Sequence, residues 1–204
     1  MGPAAGEQYF SAEPASRSRP GTVELVLPDV SFTLGTDRGV FSPASVDPGT
    51  KLLLLDGPHP DPDETGALLD LGCGYGPIAC TLARRSPAAV VWGVDVNERA
   101  RTLCAANAAA AGLTNVSVTE PDGVPEATRF AGIWSNPPIR IGKPALHELL
   151  TRWLGRLAPE GVAHLVVHKH LGSDSLARWL ESEGWTVRRV ASRGGYRLLD
   201  VAAS

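Results

Sequence analysis

The run Asp70-Leu71-Gly72-Cys73-Gly74-Tyr75-Gly76 sets an acid ahead of three alternating glycines. Glycines let a backbone approach a ligand closely, and amides at a helix start favour electronegative groups. A dinucleotide fingerprint, G-x-G-x-x-G counted from Gly72, would need its third glycine where Pro77 stands. An acid ahead of the turn would repel a pyrophosphate. It suits instead a cation that carries an ammonium and a sulfonium. Asp95 lies 25 residues after Asp70. An acid at that place in a βαβ unit accepts hydrogen bonds from ribose hydroxyls; the alternative is an ordinary strand-end or capping acid. Asp122, with Glu120 nearby, is a comparable candidate for an adenine amino group.

Asn136-Pro137-Pro138-Ile139 is the other chemistry-bearing run. Two prolines stiffen the backbone and remove two donors, which leaves carbonyls to accept. The Asn136 side-chain oxygen and the Pro137 carbonyl can each take one hydrogen of a planar NH₂. An exocyclic amine is a poor nucleophile because its lone pair is delocalised into a ring. Holding both hydrogens favours a pyramidal nitrogen and aims the lone pair at an electrophile. Such catalysis is positioning plus electrostatics, with no covalent enzyme intermediate. A strand-terminating Asn-Pro turn is the plain alternative.

These residues need strands that end at one edge. Val23–Leu27 and Val30–Leu34 flank the turn signal Pro28-Asp29 and predict a hairpin. Asp47 as N-cap and Pro48 at the first position predict a helix over Pro48–Leu55. The acidic, proline-rich stretch 57–66 separates this N-terminal decoration (1–56) from a domain over 66–204. From Ala67 onward strand and helix alternate. Strands are expected at Ala67–Leu71, Val90–Val94, Val116–Val118, Phe130–Trp134 and Val162–Val167. Helices are expected at Pro77–Arg85, Glu98–Ala111, Pro144–Leu157 and Ser173–Glu183. Thr186–Val190 and Tyr196–Val201 close the chain as a hairpin around Gly194-Gly195. The pattern predicts a doubly wound α/β sheet, mostly parallel, with one reversed strand.

A chain of 204 residues, 43% apolar, can bury one sizeable core. No apolar run is long enough to span a membrane, and the first residues lack a signal-peptide core. Cys73, Cys80 and Cys104 show no metal spacing and read as reduced thiols, so a cytoplasmic protein without a metal is expected. Net charge is −3, against a strongly basic nucleic-acid binder. From Arg140 on there are ten Lys/Arg and six Asp/Glu; before it, nine and sixteen. That asymmetry fits either a face that meets phosphate or a set of solvated helix faces. Arg188, Arg189, Arg193 and Arg197 are candidates for a basic edge, and His168-Lys169-His170 for an RNA contact. The tryptophans mostly read as core or helix-anchoring groups.

The glycine motif and the Asn-Pro-Pro turn resemble those of class I methyltransferases. The sequence from about Tyr9 to Leu199 resembles the methyltransferase small-domain family, which contains RsmC-like 16S ribosomal RNA guanine-N(2) methyltransferases. The resemblance rests on Tyr9-Phe10, Gly39–Ser42, Asp47–Thr50, Asp70–Gly76, Asn136–Arg140 with Gly142-Lys143 and Leu146-His147, and Gly194–Arg197. It looks closest to the short single-domain members. It implies a Rossmann-like, seven-stranded sheet with helices on both faces and S-adenosylmethionine as cofactor. The implied cofactor residues are Asp70, Gly72, Cys73, Gly74, Gly76, Asp95, Val96, Asp122 and Asn136. The implied catalytic residues are Asn136, Pro137, Pro138 and Ile139. Phe41, Arg140, Lys143 and His147 are the implied substrate contacts, with ribosomal RNA or a small-subunit particle as partner. Two positions depart from the family: Gln8 stands where His is common before the Tyr-Phe pair. Ile139 stands where amino methyltransferases often carry an aromatic ring, so Phe41, Tyr75 or Trp134 would grip the base. An adenine, protein-glutamine or small-molecule amine is the rival substrate, and a cofactor-binding module without catalysis is the rival class.

Overall fold

The computed structural model describes residues 17–204; Gln8, Tyr9 and Phe10 lie outside them. Strands β1 (Gly21–Val26) and β2 (Ser31–Thr36) pair antiparallel with Val23 opposite Leu34. Helix α1 (Pro48–Asp56) follows. Asp47 caps it, accepting from the backbone N–H groups of Gly49 at 2.8 Å and Thr50 at 3.1 Å. Those are two of the four donors that a helix start leaves open.

The remaining chain alternates as expected. Its strands are β3 (Ala67–Leu71), β4 (Val90–Val94), β5 (Val116–Thr119), β6 (Phe130–Ser135), β7 (Leu157–His168), β8 (Trp185–Arg193) and β9 (Tyr196–Ala203). Its helices are α2 (Pro77–Arg85), α3 (Glu98–Ala110), α4 (Lys143–Leu154) and α5 (Ser173–Ser182). The sheet order is β5-β4-β3-β6-β7-β9-β8. Only β9 runs against its neighbours in this sheet. The mostly parallel seven-stranded sheet with one reversed strand is therefore present.

Strand residues alternate between two cores, as the period-2 geometry requires. Leu68, Trp134 and Val166 face the α1, α2, α3 and hairpin side. Leu69, Leu71, Ile133, Leu165 and Val167 face α4 and α5. Asn107, inside α3, joins the hairpin to the glycine turn. Its side-chain oxygen accepts from Gly35 N at 2.7 Å, and its amide nitrogen donates to Gly35 O at 2.9 Å and Tyr75 O at 2.7 Å. Both amide hydrogens are used, so this helical Asn is buried without an unmet donor.

Several boundaries move, the largest shift being at the start of β7. The helix expected over 144–157 ends at Leu154, because Gly155 caps it and β7 already begins at Leu157, opposite Phe130. The strand expected from Val162 therefore starts five residues earlier. No described helix is long and apolar enough to cross a membrane.

Candidate active site

The sheet's order turns at the boundary between β3 and β6, and ligands of open α/β sheets bind outside the strand ends at such a point. The glycine turn leaves β3 and Asn136 leaves β6. The two strand ends are tied by Ser135, whose buried hydroxyl donates to Leu71 O at 2.7 Å. Between them opens a cleft of about 700 Å³. Its walls include Gly72, Gly74, Asp95, Val96, Asn136–Arg140, Phe41 and Asp47. His168, His170 and Tyr196 close the far side.

The turn is folded hard against β4. Gly72 N and Cys73 N both donate to Val94 O, at 2.8 and 3.0 Å. Gly74 N donates to Asp95 Oδ2 at 2.9 Å, and Asn97 N to Asp95 Oδ1 at 2.9 Å. Gly72 and Gly74 have φ of +78° and +54°, and a Cβ on either would meet no protein atom within 4 Å. Their missing side chains leave room that a ligand can fill. Gly76 (φ +93°) serves a different end: a Cβ there would sit 2.7 Å from Cys104 Sγ, so it lets the turn pack on α3. Gly76 and the buried Cys73 do not line the large cleft.

Asp70 lies wholly buried beneath this turn. Ala79 N donates to its Oδ2 at 2.8 Å, and its Oδ1 has no partner. Burial pushes its carboxyl up to about 8; the bond from Ala79 opposes this and the nearby Asp95 charge adds to it. Burial also raises Asp95, against the backbone donors of Asn97 and Gly74. Asp95 on the cleft wall and Asp70 beneath it put two acids where a cationic ligand would bind. Val40, Val96 and Ala100 supply an apolar wall beside Asp95 that suits a flat ring. These features fit S-adenosylmethionine. Asp95 would hold the ribose and Gly72 and Gly74 would admit the amino-acid end.

Asn136 is oriented from outside its own strand. Its amide nitrogen donates to Asp47 Oδ1 at 2.8 Å and to Thr50 Oγ1 at 3.1 Å. A carboxylate accepts only, so nitrogen must face Asp47, and the amide oxygen is left for the cleft. No donor among the described residues meets that oxygen. The prolines leave less than expected. Pro137 O accepts from Ile139 N at 2.8 Å, and Pro138 O from Ile141 N at 3.0 Å. With φ −76° and ψ 69°, Pro138 centres an inverse γ-turn. One lone pair of the Pro137 carbonyl is thus spent and one remains.

Besides Cys73 and Gly76, four more of the expected site residues lie elsewhere or act from beneath. The Asp122 carboxylate is turned to solvent and pairs with Arg152 at 2.8 Å, while the preceding Pro121 reaches the cleft. Arg152 also binds Pro121 O, which holds the short turn in that orientation. Lys143 reaches Ser175 Oγ at 3.2 Å, and His147 stacks on Trp179 at 3.7 Å between ring centres. Both belong to the α4–α5 contact. Asp70 lies under the turn and off the cleft wall. Phe41 and Arg140 do line the cleft. Of the three aromatic candidates, Trp134 packs on His164 and donates to Pro58 O at 3.1 Å, and Tyr75 is buried. Phe41 is 45% exposed.

The four candidate edge arginines are matched by acids: Arg188 by Asp200, Arg189 and Arg197 by Asp174, and Arg193 by Asp56. The basic edge is therefore largely neutralised.

The sequence missed Asp47, Thr50 and Tyr196 as site residues, while His168, a candidate RNA contact, lines the cleft. Gly49 and Gly195 bring them in. A Cβ on Gly49 would fall 2.7 Å from the Tyr196 ring, and one on Gly195 would fall 2.8 Å from His168 Nε2. His168 meets Tyr196 edge-on at 4.8 Å. The glycines beside Asp47 and Tyr196 were the available signal, because each permits an approach that a side chain would block. Asn97 holds the Phe41 wall by donating to Gly39 O at 2.8 Å.

A sheet of this order, with a glycine turn after its first strand and an Asn-Pro-Pro turn after its fourth, defines a Rossmann-like methyltransferase. The chain belongs to the methyltransferase small domain family, whose profile matches residues 31–200. It is 36% identical over 196 residues to the uncharacterized protein YbxB of Bacillus subtilis, covering 95% of this chain and 96% of that protein. It is 34% identical over 160 residues to ribosomal RNA small subunit methyltransferase C of Shewanella halifaxensis, covering 76% of this chain and 46% of the relative. The structure superposes with TM-score 0.74 and 26% identity on the T. thermophilus 16S rRNA N2-guanine methyltransferase RsmC, solved with AdoMet and guanosine. That match covers 94% of this chain and 52% of RsmC. The chain thus spans about half the length of the ribosomal RNA methyltransferases it matches.

Proposed function

We propose that this protein transfers a methyl group from S-adenosylmethionine to an exocyclic amino nitrogen, namely guanine N2 of 16S ribosomal RNA. The observation that carries the reading is the pinned amide of Asn136, which leaves its oxygen as an acceptor in the cleft. S-adenosylmethionine supplies an electrophilic methyl on a sulfonium. Asn136 Oδ1 and the remaining lone pair of Pro137 O hold the two amine hydrogens. Ile139 and Phe41 give the base apolar walls. Asp95 offers acceptors to the ribose hydroxyls, and Asp70 beneath the turn would give up its proton to become a carboxylate when a cationic cofactor binds above it.

The cleft volume supports a cofactor and a base held together, since sites for drug-sized ligands span roughly 300–1,000 Å³. The similarity to RsmC, solved with AdoMet and guanosine, supports the guanine. Net charge −3 and paired C-terminal arginines give a weak general affinity for RNA, so a small-subunit particle is the expected partner.

The test is methyl transfer from labelled S-adenosylmethionine to ribosomal RNA and subunits of cells lacking the protein, followed by nucleoside analysis. Label in N(2)-methylguanosine supports the reading. Label in N(6)-methyladenosine or in protein, or cofactor binding with no transfer, overturns it.

A further inference from the structure

Asp47 does more than cap α1. Its Oδ1 takes three donors: Gly49 N at 2.8 Å, Thr50 N at 3.1 Å and Asn136 Nδ2 at 2.8 Å. No donor among the described residues meets its Oδ2. Asp47 is partly exposed and lines the same cleft as Asn136 and Pro137. The cap is thus complete with one oxygen, which leaves the second to accept a donor. Asp47, in contact with Asn136 and lining the same cleft as Pro137, brings a third acceptor to the two that Asn136 and Pro137 supply.

We infer that Asp47 is the residue that selects guanine, its free carboxylate oxygen accepting N1–H beside the N2 amine. This rests on the guanine reading above. The chemistry discriminates sharply. Guanine presents two adjacent donor groups, the N2 amine and N1–H. Adenine presents one amine beside an unprotonated N1, whose lone pair would meet the carboxylate oxygen and be repelled. A glutamine amide presents its NH₂ beside a carbonyl oxygen, with the same repulsion. A hydrogen bond to a charged group contributes about 1.5–3 kcal/mol, and a site built for one rejects analogues that leave it unmet. The third acceptor accordingly separates guanine from the rival amines, which Asn-Pro-Pro alone does not.

The wild-type protein, loaded with S-adenosylhomocysteine, is titrated with guanosine, inosine, 2-aminopurine riboside and adenosine. Inosine keeps N1–H and lacks the amine; 2-aminopurine riboside keeps the amine and lacks N1–H. Inosine is expected to bind better than 2-aminopurine riboside. In Asp47→Asn the cap oxygen stays and the free oxygen becomes an NH₂. Guanosine is then expected to weaken roughly 10- to 100-fold while 2-aminopurine riboside tightens, with the melting temperature of the cofactor-product complex nearly unchanged. If the wild type methylates guanine N2 yet treats inosine and 2-aminopurine riboside alike, the Asp47 inference fails by itself. If it binds adenosine in preference to guanosine, the guanine reading and this inference fall together. The wild-type series decides the matter even if Asp47→Asn does not fold.

Discussion

The side-chain amide of Asn136 donates to the helix-capping carboxylate of Asp47 at 2.8 Å, across 89 residues of sequence. The contact couples the N-terminal decoration to the Asn-Pro-Pro turn. It fixes which end of the Asn136 amide faces the cleft, a choice that an isolated Asn would leave open.

Asp47→Ala removes that orientation and the α1 cap. Loss of a cap costs about 1 kcal/mol of stability. The expected kinetic result is a fall in kcat on the order of 10²-fold, because small misplacements at a reacting centre cost that much. Cofactor affinity should fall less than kcat, since Asp47 acts on the amine through Asn136. Isothermal titration beside steady-state kinetics measures the split. Equal losses in both would contradict a role through Asn136.

Asp70 governs pH dependence. Its folded-state value of about 8 lies above the 3.8 of an open carboxyl, so the folded protein keeps a proton that the unfolded chain has released. Its contribution is fully present below pH 3.8 and is lost as pH rises through about 8. Asp70→Asn should therefore melt higher than wild type at pH 9 without cofactor. The gap should close toward pH 5. The same variant should bind S-adenosylmethionine more weakly. Melting curves across pH check the first point. A wild type that melts higher than the variant at pH 9 would contradict it.

Two glycines of one turn should fail in different ways. Gly74→Ala meets no protein atom, at a left-handed backbone costing roughly 1–2 kcal/mol. Its methyl enters the cofactor space, so cofactor affinity should fall by an order of magnitude or more. Gly76→Ala collides with Cys104 and should lower the melting temperature more than Gly74→Ala does. Melting and cofactor titration of both variants separate the two effects.

The sheet was legible because its signals are local. Each strand is a short apolar run, and Asp47-Pro48 and Gly194-Gly195 mark boundaries by backbone chemistry alone. Asp95, Gly72, Gly74 and Asn136 follow from their places at strand ends. The directions of Asp122 and His147 do not, because spacing along a turn or helix cannot say which neighbour a side chain meets. Arg152 and Trp179 decided those two. Asp47 was hidden by its own clarity: Asp-Pro-Gly-Thr reads completely as a cap, and the contact that gives it a second use comes from a distant strand end. The arginine edge misled for a related reason, since Asp56, Asp174 and Asp200 arrive from three different elements.

Arg140 has no carboxylate partner among the described residues and lines the cleft, whereas Arg193 pairs with Asp56. Arg140→Ala should reduce the salt slope of RNA-substrate binding by roughly one counterion. Arg193→Ala should change it far less. Binding of the RNA or particle substrate at several salt concentrations reads this, and equal slopes for both variants would remove Arg140 from the substrate surface.

Asn136→Ala gives the most direct test of the amine-holding account. Single-turnover methyl transfer and S-adenosylmethionine binding are measured on the same preparation. The account predicts a rate lower by about 10²- to 10³-fold, as for removal of one preorganised transition-state contact, with the cofactor dissociation constant little changed. A variant that still transfers methyl at near the wild-type rate would contradict it.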